Sequence, residues 1–323
     1  MTKQIISVDI GGTHARFALA HLSAGRCIGL DKEITLKTAD FASLENAWDE
    51  FSRRMNGNLP RHVAMAVAGP IHEDVIRFTN NSWTICSSHI HQILQVDDVK
   101  LVNDFEAIGH AVAQLDAAFL EPLCGPNQAL SDDGVISILG PGTGLGVAQL
   151  WRSAGNYRVQ PTEGGHIGYA PLDAVEQAIC ARIHSRYNRV SVERVVSGPA
   201  IVDIYQALAE MDGFSAPAEE DKAIWIRGLE QSDQLASAAI DRFCLALGAV
   251  AGDLALAHGA CGVVIAGGLG FRLRKCLLDS HFAERFIAKG RFESFMAQIP
   301  VKLMTHPQPG LFGAAAAYAA GMS

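Results

Sequence analysis

The run Asp9-Ile10-Gly11-Gly12-Thr13-His14-Ala15-Arg16 constrains this chain more than any other segment. An apolar stretch, residues 5–10, enters it and Phe17-Ala18-Leu19-Ala20 leaves it, so two strands meet at a glycine turn. Glycines in such a turn let backbone N–H groups converge on an anion without Cβ obstruction. Thr13 adds a hydroxyl donor, and Asp9 can hold a metal ion directly or through its water. These are the parts needed to grip the phosphates of a metal-bound nucleotide. The same residues also suit an ordinary hairpin with a glycine turn.

A second copy of the pattern favours the phosphate reading. Ile138-Leu139-Gly140-Pro141-Gly142-Thr143-Gly144-Leu145-Gly146-Val147-Ala148 is again strand, glycine turn with a threonine, and strand. Neither segment has the spacing of a P-loop or of a dinucleotide-binding glycine motif. Two such hairpins far apart in the chain suggest two related lobes, each offering a turn to one phosphate chain. A third cluster, Ala266-Gly267-Gly268-Leu269-Gly270, follows the apolar run Gly262-Val263-Val264-Ile265. It suits close approach of backbone to a flat ligand such as a purine, and equally a helix entry turn.

A chain of 323 residues exceeds the usual size of one core, so two lobes are expected. Its 26 basic and 34 acidic residues give a net charge of −8, which argues against nucleic acid or an anionic membrane as partner. The seven cysteines show no C-x-x-C spacing, which argues against a zinc site or a disulfide scaffold. The first strand begins by residue 4 or 5 with no leader pattern, and the apolar stretches near 244–257 and 311–320 read as too short or interrupted to span a bilayer. A soluble cytoplasmic protein is the expectation.

Strands are expected at 5–10, 16–20, 63–68, 99–102, 135–139, 147–151, 263–266 and 301–304. Helical periods lie between them, among them 43–55 with Ser43 as N-cap, 105–115, 201–211, 236–258, and 311–320 opened by Pro309-Gly310. This alternation predicts an α/β protein with a mostly parallel sheet, to which the first three strand runs add an antiparallel meander. The stretch 212–221 reads as a solvated loop, and a lobe boundary is expected near 116–131.

Asn103-Asp104 stands at the carboxyl end of a buried strand, where open α/β sheets place their sites. A carboxylate there could take the proton of a substrate hydroxyl during phosphoryl transfer, or could cap the next helix. Asn103 could orient a second hydroxyl. Glu163-Gly164-Gly165-His166 can aim an acid and an imidazole into one pocket, as a polyhydroxylated ligand requires, or can be a plain surface turn. Ser191-Val192-Glu193-Arg194 precedes Ser197-Gly198-Pro199, and by itself Glu193 reads as a partner of Arg194 or a cap. His89-Ile90-His91 reads as the start of a surface helix rather than a metal site, and the sequon Asn80-Asn81-Ser82 carries no meaning without secretion.

Together these segments resemble the bacterial ATP-dependent glucokinase family, in the hexokinase branch of the actin-like ATPase superfamily. The resemblance is carried by 9–16, Ala68-Gly69-Pro70, Thr79-Asn80-Asn81-Ser82-Trp83, Val102-Asn103-Asp104-Phe105, 140–146, 163–166, 191–199, 266–270 and Pro309-Gly310-Leu311-Phe312-Gly313, in the family's order. It implies a two-lobed actin-like (ribonuclease H-like) α/β fold with mixed sheets and a cleft between the lobes. The small lobe would be 1–115 plus 306–323 and the large lobe 116–305. It further implies Asp104 as general base toward the 6-hydroxyl of glucose, with Asn103, Asp104, Glu163, His166 and Glu193 binding the sugar. ATP and its phosphates would meet Asp9, Ile10, Gly11, Gly12, Thr13, His14, Gly142, Thr143, Gly144, Gly267 and Gly268, with Asp9 on the Mg2+ side through water. The implied partners are glucose and ATP, with no nucleic acid and no membrane, in a homodimer. His14 stands where Asn is frequent in the family, and Gly168 where an acid often sits. The other readings are a kinase of another hexose, a non-catalytic sugar-binding regulator, or a filament-forming actin relative.

Overall fold

Ile5, Ile6, Val8 and Ile10 are all fully buried, so strand β1 (Lys3–Ile10) has both faces covered rather than one. β2 (His14–Ser23) returns antiparallel to it, pairing Ile10 with Ala15 and Asp9 with Arg16. β3 (Arg26–Lys37) continues this hairpin, β4 (His62–Val67) lies parallel on the other side of β1, β5 (Val75–Arg77) and β6 (Thr84–Cys86) form a small ribbon, and β7 (Asp98–Asn103) runs parallel to β4. The main sheet is therefore ordered β3-β2-β1-β4-β7.

The computed structural model describes residues 2–69, 71, 74–78, 81–214 and 219–322. Pro70, Thr79 and Asn80 of the expected motifs, and part of the 212–221 loop, lie outside the described residues. Its chain divides into two compact units, Met1–Asp116 with Val159–Pro161 and His306–Ser323, and Ala117–Arg158 with Thr162–Thr305.

In the first unit the antiparallel meander differs from expectation. Its third strand is β3, while the apolar run at 63–68 becomes β4 and pairs parallel to β1. β3 is an edge strand, largely exposed and carrying Asp31, Lys32 and Glu33, so it has no apolar run to betray it. The helix Leu44–Arg54 starts as its cap predicts, with the Ser43 side chain accepting from the Asn46 N–H. Its inward residues include Trp48 and Phe51, and Phe51 stacks on Phe17 of β2 with ring centroids 4.9 Å apart. The last helix, Pro309–Ala320, is buried along almost all its length. Ser7 of β1 donates to its Leu311 carbonyl at 2.6 Å, and Lys100 of β7 donates to its Ala317 carbonyl at 2.8 Å.

The second sheet, which belongs to the second unit apart from residues 159–161 of its edge strand, repeats the motif. β8 (Leu120–Cys124), β9 (Gly134–Pro141), β10 (Leu145–Ser153), β11 (Asn156–Thr162), β12 (Ala260–Ile265) and β13 (Val301–Met304) form one sheet ordered β11-β10-β9-β12-β13-β8. As in the first unit, a hairpin (β9 with β10) is followed by a strand, β12, parallel to its first member. The core of this unit lies under the helix Gln234–His258, with Phe243 edge-on to Trp225 at 5.2 Å. That helix is longer than its apolar stretch suggests. It is the one helix among the described residues long and apolar enough to cross a membrane, yet 72% of the qualifying window is buried in the protein. Burial of this kind marks a core helix, whose apolar surface is already covered.

Candidate active site

In the first unit, the turn Gly11-Gly12-Thr13 joins β1 to β2. The Gly11 N–H donates to the His14 carbonyl at 2.9 Å, and Thr38 clasps the turn from β3's end, its N–H on the Thr13 carbonyl (3.1 Å) and its hydroxyl on the Gly12 carbonyl (3.0 Å). Thr13 itself is exposed, with its hydroxyl 3.0 Å from Nδ1 of His14. Among the described residues, the backbone N–H groups of Gly12 and Thr13 find no acceptor, which leaves them for an anion. Ile10 is buried beneath the turn and supports it rather than facing a ligand.

Asp9 lies just below this turn. Its carboxylate is 18% exposed and pairs with Arg16 across the hairpin at 3.1 Å. Burial pushes its carboxyl above the usual carboxylate range, and the Arg16 guanidinium opposes that rise. A carboxylate with one oxygen held by Arg16 is a hard donor that can still hydrogen-bond the water of a hydrated cation.

Asn103 and Asp104 sit where β7 gives way to the helix Asp104–Gln114. The cap role falls to Asn103, whose Oδ1 accepts from the N–H groups of Phe105 (2.9 Å) and Glu106 (3.2 Å). Its amide donates to the Gly69 carbonyl at 3.3 Å. Asp104 is the first helical residue, half-buried, and its Oδ1 accepts from the Phe105 N–H at 2.8 Å. The helix start thus aims Asp104 from the carboxyl end of a parallel strand, while its neighbour does the capping.

In the second unit, the turn Gly142-Thr143-Gly144 joins β9 to β10, closed by the Gly142 N–H on the Gly144 carbonyl at 2.8 Å. Thr143 is exposed, and among the described residues the N–H groups of Thr143 and Gly144 find no acceptor. Glu163 precedes and His166 ends a short 3-10 turn, Gly164–His166, with the His166 Nε2 3.7 Å from the Glu163 carboxylate. Both are well exposed, at 89% and 61% of their side chains, so they are available to a ligand.

Glu193 joins these two turns. Its N–H donates to the Gly165 carbonyl at 2.8 Å, and its Oε2 accepts from the Leu145 N–H at 3.0 Å. The expectation that Glu193 pairs with Arg194 or caps a helix is therefore corrected. The Arg194 guanidinium instead lies 3.8 Å over the Tyr187 ring, which removes it from the carboxylate. Gly198 completes the frame by donating to the Gly142 carbonyl at 2.7 Å. Gly267 and Gly268 open the six-residue helix Gly267–Arg272, one residue after β12 with Ala266 between, so the cluster forms a helix entry turn.

The structure adds Lys37, which no sequence pattern marked. Lys37 pairs with His14 in the β2–β3 register, and both line a cavity of about 380 Å³ with Gly12, Thr13, Asn81 and Ser82. The Asn81 Nδ2 is buried there with no partner among the described residues. Lys37 is legible only once the register is known, because a lone lysine on an exposed strand is ordinarily a solvated one. Among the described residues no cluster of His, Cys, Asp and Glu could hold a metal ion, and His89 caps a short helix, Ile90–Ile93.

A family model described as glucokinase matches residues 6–321. A glucokinase of Zymomonas mobilis is 54% identical over 316 residues, covering 98% of both chains. One of Caulobacter vibrioides is 39% identical over 313 residues, covering 96% of this chain and 93% of its own. The crystal structure of a glucokinase from an Antarctic psychrotroph superposes with a TM-score of 0.84 at 34% identity, covering 97% of this chain and 98% of its own. A ROK family glucokinase of Streptomyces griseus, solved with glucose and AMPPNP, shares the fold at a TM-score of 0.60 and 20% identity, covering 97% and 98%. The fold is the α/β fold with mixed sheets of the actin-like ATPases.

Proposed function

The chain belongs to the glucokinase family, and from that premise we propose that it transfers the γ-phosphoryl group of ATP to the 6-hydroxyl of glucose, giving glucose 6-phosphate and ADP. The observation that carries the site assignment is the common frame in the second unit. There Glu193 and Gly198 tie the Gly142-Thr143-Gly144 turn to the Glu163–His166 turn. Groups suited to sugar hydroxyls and groups suited to phosphates are thereby held in one rigid piece.

In this reading Asp104 takes the proton of the 6-hydroxyl, and Asn103, Glu163, His166 and Glu193 hydrogen-bond the other hydroxyls. The unpaired N–H groups and exposed threonines of the two turns donate to phosphate oxygens, and Gly267-Gly268 lies toward the adenosine. Oriented donors of this kind stabilise charge that builds on the transferred group. The Asp9 carboxylate suits the water shell of Mg2+, which when bound offsets phosphate charge. Of these residues Asp9, Thr13, Asn103 and Asp104 belong to the first unit, and Thr143, Glu163, His166 and Glu193 to the second. A cytoplasmic homodimer is carried over from the family as the working form.

A coupled assay of ADP release with and without glucose tests the reading. Sugar-dependent release is expected, together with a preference for glucose over fructose, mannose and N-acetylmannosamine. ADP release that ignores the sugar would overturn it, as would a larger response to another hexose.

A further inference from the structure

Glu193 has a contact that sugar binding does not require. Its Oε2 accepts the N–H of Leu145, the residue that immediately follows the phosphate turn, at 3.0 Å. The carboxylate fills the space next to Gly144, where a Cβ would stand 2.4 Å from Oε2 and 3.2 Å from the carboxyl carbon. The other oxygen, Oε1, lies 3.9 Å from that position, farther from Gly144 than Oε2. The opposite end of the turn is held by the Gly198 N–H on the Gly142 carbonyl. The segment 193–198 therefore grips the turn at both ends, once through backbone and once through a single charged side chain. A carboxylate makes the stronger kind of hydrogen bond to a backbone N–H.

We propose that Glu193 is a positioning residue for the phosphate turn, setting the direction of the Thr143 and Gly144 N–H groups through Leu145 and linking sugar occupancy to nucleotide affinity. The link rests on the reading above, in which Oε1 takes a sugar hydroxyl. A hydroxyl donated to Oε1 restrains the same carboxylate that holds the turn. Coupling through a shared group is reciprocal, so each ligand tightens the other.

The test measures the Kd of AMPPNP with Mg2+ in the absence of sugar, and the glucose KM at saturating ATP, for Glu193→Ala, Glu193→Gln and Gly144→Ala. Loss of a hydrogen bond to a charged group costs about tenfold or more, so Glu193→Ala should weaken sugar-free AMPPNP binding by that factor. Glu193→Gln keeps an acceptor for the Leu145 N–H and should restore binding to within about threefold of the parent. Gly144→Ala displaces the carboxylate from below and should raise the glucose KM severalfold although it changes only the phosphate turn.

A sugar-free AMPPNP Kd unchanged in Glu193→Ala, with a raised glucose KM, would overturn the positioning role and leave the sugar role standing. Unchanged values for both would overturn the two together. Weakened AMPPNP binding in Glu193→Ala, alongside a parent protein that shows no glucose-dependent turnover, would support the positioning role and sink the proposed function. If Glu193→Ala does not fold by circular dichroism, Gly144→Ala decides, and an unchanged glucose KM there overturns the proposal.

Discussion

Gly310 rests against the Asp9 carboxylate so closely that a Cβ on it would lie 2.7 Å from the carboxyl carbon and 2.7 Å from Oδ2. Gly310 is the second residue of the last helix, so the first turn of that helix presses the acid against the hairpin from which it projects. The helix N-terminus favours a negative charge there, while burial raises the Asp9 carboxyl and the Arg16 guanidinium opposes that rise. Gly310→Ala should therefore displace Asp9. We expect a loss of about 1–3 kcal/mol in stability and a rise in the KM for MgATP that exceeds any change in the glucose KM. Equal changes in both constants, measured by steady-state kinetics on the folded variant, would refute a specific effect on Asp9.

Asn103 and Asp104 should separate cleanly. Asp104→Asn leaves the Asn103 cap in place, so its thermal midpoint should stay close to the parent while kcat falls by about 10²–10⁴. Asn103→Ala removes the cap and should lower stability by about 1 kcal/mol, which thermal unfolding reads directly. Near-normal turnover in a folded Asp104→Asn would remove the base assignment.

Lys37 should matter to the nucleotide although it is exposed. It stands opposite His14 and lines the same cavity as Thr13. Lys37→Ala should raise the KM for ATP severalfold, and the difference from the parent should shrink as ionic strength rises, because exposed charges are screened over about 10 Å at 0.1 M salt. A salt-independent effect would point to packing instead.

His110 sets an acid limit on the first unit. Its ring is 12% exposed in the helix Asp104–Gln114, and burial, aided by the Lys100 charge, lowers its pKa from 6.5 to about 4. Between those values the unfolded chain binds a proton that the folded chain does not. Stability is therefore full above pH 6.5 and declines as pH falls toward 4, by up to about 3 kcal/mol from this group. The thermal midpoint of His110→Gln should fall less than that of the parent between pH 7.5 and pH 5. Parallel declines would show that other groups carry the acid sensitivity.

Several elements were legible because local chemistry suffices for them. The cap at Ser43, the proline-opened last helix, and the strands behind both glycine turns follow from side-chain donors, fixed φ and apolar runs. The Asn103-Asp104 pair could be located by its place after a strand, but which of the two caps the helix depends on a rotamer. The edge strand β3 was not legible, since half-exposed charged residues read alike in strand and loop.

What the sequence determined by itself is the set of parts: two hairpins with glycine-threonine turns, an acid after a buried strand, and a Glu-Gly-Gly-His turn. Those depend on residues within a few positions of one another, so backbone sterics and local hydrogen bonds settle them. Tertiary structure decided how the parts are joined. Leu145 meets Glu193, Gly310 meets Asp9, and Lys37 meets His14 only because strand register and helix packing bring distant residues within hydrogen-bonding or van der Waals reach. Each side of such a contact reads as ordinary alone. A carboxylate becomes a strut, and a glycine a necessity, only when the partner's position is known.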